Sequence, residues 1–79
     1  MSAELLDDLA RALASTDVEV QLCLRAIAIT MEARELTAEV REARLLVFWR
    51  ELFHLAVGRS ITDAEARQLS RCIHPPLLQ

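Results

Sequence analysis

The chain has 79 residues, of which 53% are hydrophobic and 27% charged, and its formal net charge at pH 7 is −3. This balance excludes a disordered or collagen-like polypeptide, and the length allows one domain. A domain this small buries only about 60 to 65% of its unfolded surface, so we expect a marginal core that a partner chain completes.

The charge pattern and the N-terminus restrict the possible partners. Nine basic residues alternate with twelve acidic ones and form no basic stripe, which argues against nucleic acid as a partner. The N-terminus lacks the basic region of a signal peptide, and no apolar run reaches the roughly 18 residues of a membrane span. We therefore expect a cytoplasmic protein without a membrane partner. Lys, Asn and Tyr are absent, and because their codons are rich in A and T, we expect a high-GC bacterial or phage genome.

The first predicted helix covers residues 3–14. Leu5, Leu6, Leu9 and Leu13 recur at three- and four-residue spacing, which is typical of a helix with one buried face. Thr16 and Glu19 then have the spacing of a capping box, which predicts a second helix from Asp17.

The segment 17–57 contains neither Gly nor Pro. It predicts one long or gently bent helix, which would be about 60 Å long if straight. Thr37 could instead cap a new helix, so a break near residues 36–37 remains open. An uninterrupted four-three alternation favours continuity across the junction. Its members are Leu22, Ala26, Ile29, Ala33, Leu36, Val40, Ala43 and Val47.

The charges beside this stripe indicate a coiled-coil seam. Between Glu32 and Arg44, glutamates occupy one flank and arginines the other, so a parallel or obliquely crossed homodimer would pair opposite charges. The alternative is a solvated surface around a seam within the chain. The sequence leaves open whether an assembly is parallel or antiparallel.

The segment 45–57 carries every aromatic residue of the chain. Its apolar side chains cover an arc of roughly 200°, whereas one face packed on a core needs little more than 100°. We expect Leu45, Phe48 and Leu52 to close the bundle, and the side centred on Trp49 and Phe53 to meet a second chain. The predicted partner-binding residues are Trp49, Phe53, Leu46, Phe48, Leu36 and Val40.

Gly58 is suited to the left-handed position that ends a helix. A second capping box, Thr62 to Glu65, predicts a last helix over residues 63–73, since the residue before a proline disfavours helix. Residues 75–79 form a tail that either frays or docks on a partner.

The sequence offers little for catalysis. Cys23 and Cys72 stand alone, and we expect buried thiols, although their redox state stays open. Neither His54 nor His74 forms a helical i,i+4 pair with a second ligand type, and the one glycine cannot build a phosphate-binding loop. We therefore predict no catalytic, cofactor-binding or metal site, and no small-molecule substrate.

Together these features predict an all-α bundle of three to four helices, completed by dimerisation. The expected function is a non-enzymatic protein-interaction module: a dimeric adaptor, chaperone or inhibitor of another protein. The alternative is a small dimeric transcriptional regulator that contacts DNA through its arginines.

Overall fold

Four α-helices follow one another in the computed structural model, which describes residues 1–78. They are α1 (Ala3–Leu13), α2 (Val18–Glu32), α3 (Ala38–Val57) and α4 (Asp63–Cys72), followed by a C-terminal 3₁₀ turn (Pro75–Leu78). No strand occurs in this range, so the predicted all-α class is confirmed. Gln79, the last residue of the predicted tail, lies outside the described residues.

The start of α2 differs from the prediction by one residue. The N-cap is Asp17, whose carboxylate Oδ1 accepts hydrogen bonds from the amides of Glu19 at 2.8 Å and Val20 at 3.4 Å. The predicted Thr16 capping box is therefore wrong. A carboxylate at the N-cap binds two free amides and also favours the positive end of the helix dipole.

The predicted continuous helix over 17–57 is wrong, because the chain turns back between Ala33 and Thr37. The Thr37 hydroxyl accepts from the amide of Val40 at 3.2 Å, as the alternative break proposed. The Arg41 guanidinium folds back and donates to the carbonyls of Ala33, at 2.8 and 3.2 Å, and of Leu36, at 3.0 Å. These bonds satisfy carbonyl groups that a helix end leaves free. The whole molecule is only 31 Å in its longest dimension.

The end of α3 and the start of α4 follow the prediction. Gly58 adopts the left-handed conformation with φ 65° and closes α3. Thr62 and Glu65 form a reciprocal capping box, with the Glu65 amide 3.1 Å from the Thr62 hydroxyl and the Thr62 amide 3.0 Å from the Glu65 carboxylate. The helix then ends at Cys72, one residue earlier than predicted.

The middle helix, α3, is the centre of the bundle. It packs against α1, α2 and α4, while α2 also packs against the 3₁₀ turn. Glu42 and Arg50 form ion pairs with Arg67 and Asp63 of α4, whereas Arg41 contacts the end of α2. At 100° per residue, Arg41 lies on the opposite side of α3 from Glu42 and Arg50. Helices α2 and α4 therefore flank α3.

The core lies on the side of α3 that is also covered by α1. Leu45 and Leu52 are buried there as predicted, and Phe48 packs at the edge of the core. The radius of gyration is 11.5 Å, close to the roughly 12 Å expected for one compact chain of this length. A single copy therefore closes a core of its own.

An ion pair joins α1 to the loop after α3. The Nε of Arg59 donates to Oδ2 of the buried Asp8 at 2.6 Å, and Glu4 and Glu65 each lie 3.8 Å from the guanidinium. The hydrogen bond to Asp8 raises the pKa of Arg59. Through these carboxylates, Arg59 links α1, the loop after α3, and α4 at one end of the bundle.

Candidate protein-interaction surface

Two of the predicted partner-binding residues lie inside the bundle. Trp49 and Phe53 are both 0% exposed. The indole Nε1 of Trp49 donates to the hydroxyl of Ser70 on α4 at 2.9 Å, and the Arg59 guanidinium lies 5.8 Å from the centre of the Phe53 ring. The predicted outward position of Trp49 and Phe53 is therefore wrong. Their wide apolar arc is covered from three sides, by α1, α2 and α4.

The other four predicted residues lie at different depths. Leu46 and Phe48 are half-buried against the core, and Leu36 is half-buried in the turn between α2 and α3. Only Val40 is exposed to solvent. The structure therefore does not bring the six predicted residues together on one surface.

A row of exposed aliphatic side chains runs along α2 instead. Val18, Leu22 and Ile29 are exposed, whereas Val20 and Ile27 are buried. On a helix that advances 100° per residue, the three exposed side chains fall within about 40° of one another. They therefore form one stripe on the side of α2 that faces away from the core, and the exposed Arg25 borders it between Leu22 and Ile29.

A similar row lies on α3. Val40 and Val47 are exposed and lie on the side of the helix opposite the buried Trp49 and Leu52. The small Ala43 is exposed between them. We call the exposed aliphatic residues of both helices the outer seam. Its members are 41% to 70% exposed, and they are Val18, Leu22, Ile29, Val40 and Val47.

Both rows lie on the same side of the bundle, because α2 and α3 are antiparallel neighbours on one core. One contact gives their register. Arg41, near the start of α3, donates to the carbonyl of Ala33 at the end of α2, and the two helices pack along their length. Because they are antiparallel, Leu22 is beside the second half of α3, and Ile29 is beside its first half.

Charged side chains border the outer seam. Burial raises the pKa of the Cys23 thiol, and the negative charges of Glu51 and Glu19 raise it further. These two carboxylates mark an acidic end. Arg44 lies beside the row on α3, between Val40 and Val47 along the helix, and it forms no ion pair within residues 1–78.

A groove of about 580 Å³ opens between α2 and the 3₁₀ turn. Its apolar lining includes Leu24, Ala28 and Leu78, and its charged lining is Arg25 and Glu32. Neither histidine nor cysteine is among the groups that line it. A nucleophile without a neighbouring base is a weak one, so the groove does not assemble a recognisable catalytic group.

The remaining chemistry-bearing side chains are dispersed. Across residues 1–78, no cluster of three or more His, Cys, Asp or Glu side chains could hold a metal ion. Cys23 and Cys72 are free thiols. Cys23 is half-buried, but Cys72 is exposed, so the expected burial of Cys72 is wrong. Cys72 is the last residue of α4.

Comparison with protein-family models, curated proteins and solved structures finds no match to this chain. None of the helices between residues 1 and 78 combines the length and the apolar character needed to cross a membrane.

Most of the outer seam was present in the sequence as the four-three stripe. Leu22, Ile29, Val40 and Val47 all belong to it, but the sequence predicted them in one continuous helix rather than on two adjacent helices. The Asp8–Arg59 pair had no local signal, because its residues are 51 positions apart. Sequence reasoning instead chose the aromatics, whose size makes them equally suited to a core.

Proposed function

We propose that this chain is a non-enzymatic helical interaction module that binds another protein chain through the outer seam. It would act as a dimeric adaptor, chaperone or inhibitor. The cytoplasmic location predicted from the sequence belongs to the same proposal.

The observation that carries the proposal is the alignment of exposed aliphatic side chains. Single exposed apolar residues are normal on a protein surface. Here, however, five of them form two neighbouring rows on one side of α2 and α3, and four keep the spacing of a helix-pairing seam. Contiguous apolar surface that a chain leaves uncovered is typical of a site for protein contact. The surrounding charges would provide the polar rim of such an interface.

The alternative function, a transcriptional regulator, has weaker support than a protein-interaction module, because of how the arginines are placed. Arg41, Arg50, Arg59 and Arg67 are engaged by carbonyls or carboxylates within the chain. Those without an ion pair in the described residues are distributed over different elements, whereas DNA binding favours basic groups on one face. A duplex-binding assay at low salt would show a shift if the alternative held.

The proposal is tested by one substitution in the outer seam. Val47→Asp places a charge where an apolar contact is expected, and its fold should survive because Val47 is 62% exposed. Leu6→Asp is the control, since Leu6 is also an exposed aliphatic residue, at 47%, but lies on α1 away from the outer seam. Circular dichroism would first check that both variants are folded.

Each purified variant is then used to capture proteins from an extract of the native host, with quantitative mass spectrometry as the readout. We expect Val47→Asp to lose the proteins, including untagged copies of this chain, that both the wild type and Leu6→Asp retain. Equal capture by all three would contradict the proposal. So would loss by Leu6→Asp alone.

A further inference from the structure

We propose that a second copy of this chain covers the outer seam, with α3 of one copy lying antiparallel across α3 of its partner. This inference rests on the proposed function, in that it takes the outer seam to be a protein contact surface. It adds the identity of the partner and the orientation of the pair.

The first argument is the distribution of charge along the outer seam. Glu19 is in the first turn of α2 and Glu51 is in the second half of α3, and the antiparallel packing places them at the same end, whereas Arg44 lies between Val40 and Val47. Arg44 and Glu51 are seven residues apart on α3, which is two turns or about 10 Å along the helix axis. The α3 side of the surface thus carries opposite charges two turns apart, and such a surface can be complementary to a copy of itself.

The second argument concerns symmetry. Two identical faces can stack about a two-fold axis that lies between them, either along the helices or across them. An axis along the helices would put the acidic end of one copy against the acidic end of the other, where like charges repel. An axis across the helices reverses one copy, so Arg44 meets Glu51 of the partner subunit. The same two-fold axis also brings Glu51 against Arg44 of the partner subunit.

The third argument is the fit of the apolar groups about that axis. Val47 lies between Arg44 and Glu51 along α3, so an axis that exchanges these charges brings Val47 against Val47 of the partner subunit. The register places this point of α3 beside Ala26 of α2. Leu22 and Ile29 are almost equally far from Ala26 in opposite directions, so the same axis brings Leu22 over Ile29 of the partner subunit. The small Ala26 and Ala43 permit close approach of the helices.

This arrangement also differs from the one favoured by the sequence. A parallel pairing was suggested by glutamate and arginine flanks on a continuous helix between Glu32 and Arg44. Because the chain turns at residues 33–37, those flanks do not form. The charges that remain beside the outer seam favour the antiparallel pairing.

A charge-reversal cycle tests the inference. Sedimentation equilibrium of the full chain would compare the wild type with Arg44→Glu, with Glu51→Arg and with the double variant. Each single reversal turns two attractive pairs into two repulsive ones, so we expect the dimer to weaken by about tenfold. The double variant restores opposite charges with their positions exchanged, and its dimer should recover to within about threefold of the wild type.

Arg11→Glu is the control for net charge, because Arg11 is an exposed arginine on α1, away from the outer seam; its dimer should match that of the wild type. The inference is overturned by a wild type that stays monomeric at every concentration, or by single reversals without effect. A double variant weaker than either single also overturns it. If the wild type is monomeric but Val47→Asp still loses captured proteins, the outer seam remains a contact surface for another protein, whereas this inference and the dimeric state in the proposed function both fail.

Discussion

Trp49 is the largest side chain that the bundle encloses, and its only polar group is matched by one partner. Trp49 contributes its full apolar area to the core, and its indole nitrogen is satisfied by the Ser70 hydroxyl. A buried donor that loses its acceptor retains the cost of its lost hydration. The indole therefore both stabilises the bundle and fixes the position of α4 against α3.

Removing the Ser70 hydroxyl tests this pairing. We expect Ser70→Ala to lower the free energy of unfolding by about 1 to 3 kcal/mol, because it leaves the indole N–H without a partner. Ser60→Ala is the control, since Ser60 is exposed in the loop after α3 and its substitution should change stability by less than about 0.5 kcal/mol. Urea unfolding followed by Trp49 fluorescence provides the measurement. Equal midpoints for the two variants would show that the hydrogen bond contributes nothing.

At the scale of elements, the sequence predicted the end of α3 and the start of α4 from local chemistry. Gly58 and Thr62 each act through neighbours within four residues and behave as their types suggest. Thr37 caps α3, as the less favoured alternative proposed, whereas Thr16 does not cap α2. The turn after α2 was misjudged because the four-three stripe continues through it. Arg41 contributes there from eight residues away, a distance at which spacing rules carry no information. Periodicity indicates a shared face, and it does not show whether one helix or two present it.

Two threonines distinguish a true cap from an apparent one. We expect Thr37→Ala to lower the free energy of unfolding by about 1 kcal/mol, because the hydroxyl accepts the Val40 amide at the start of α3. Thr16→Ala should change it by less than about 0.5 kcal/mol, because Asp17 is the cap of α2. Both threonines are exposed, so burial does not complicate the comparison. A larger loss for Thr16→Ala in urea unfolding would contradict the assignment of the caps.

At the scale of the whole molecule, one chain closes its core and still leaves an apolar face uncovered. The sequence predicted an excess of apolar surface but placed it on Trp49 and Phe53. Those side chains are buried by α1, α2 and α4, and no sequence pattern says which helices will pack together. The excess lies instead on the smaller side chains of the outer seam. That a partner chain covers apolar surface stays a prediction, and it now concerns different residues.

The burial of Trp49 also limits how the protein can be tested. Truncating a buried Trp costs about 3 to 5 kcal/mol, and a chain of this length has a total stability of about 4 to 12 kcal/mol. Trp49→Ala would therefore reduce binding by unfolding the bundle, whatever surface the partner uses. Substitutions in the outer seam avoid this ambiguity, because their side chains are already exposed.

The most direct test of the account is whether the outer seam of one copy touches that of another. Val47→Cys and Leu6→Cys would be made in a chain with Cys23→Ala and Cys72→Ser, and mild oxidation would be followed by non-reducing electrophoresis. We predict that the thiol at position 47 forms a linked dimer roughly tenfold faster or more than the thiol at position 6, because a pre-formed pair raises its effective concentration. Equal rates at positions 47 and 6 would contradict the central claim that the outer seam is a contact surface between copies of this chain.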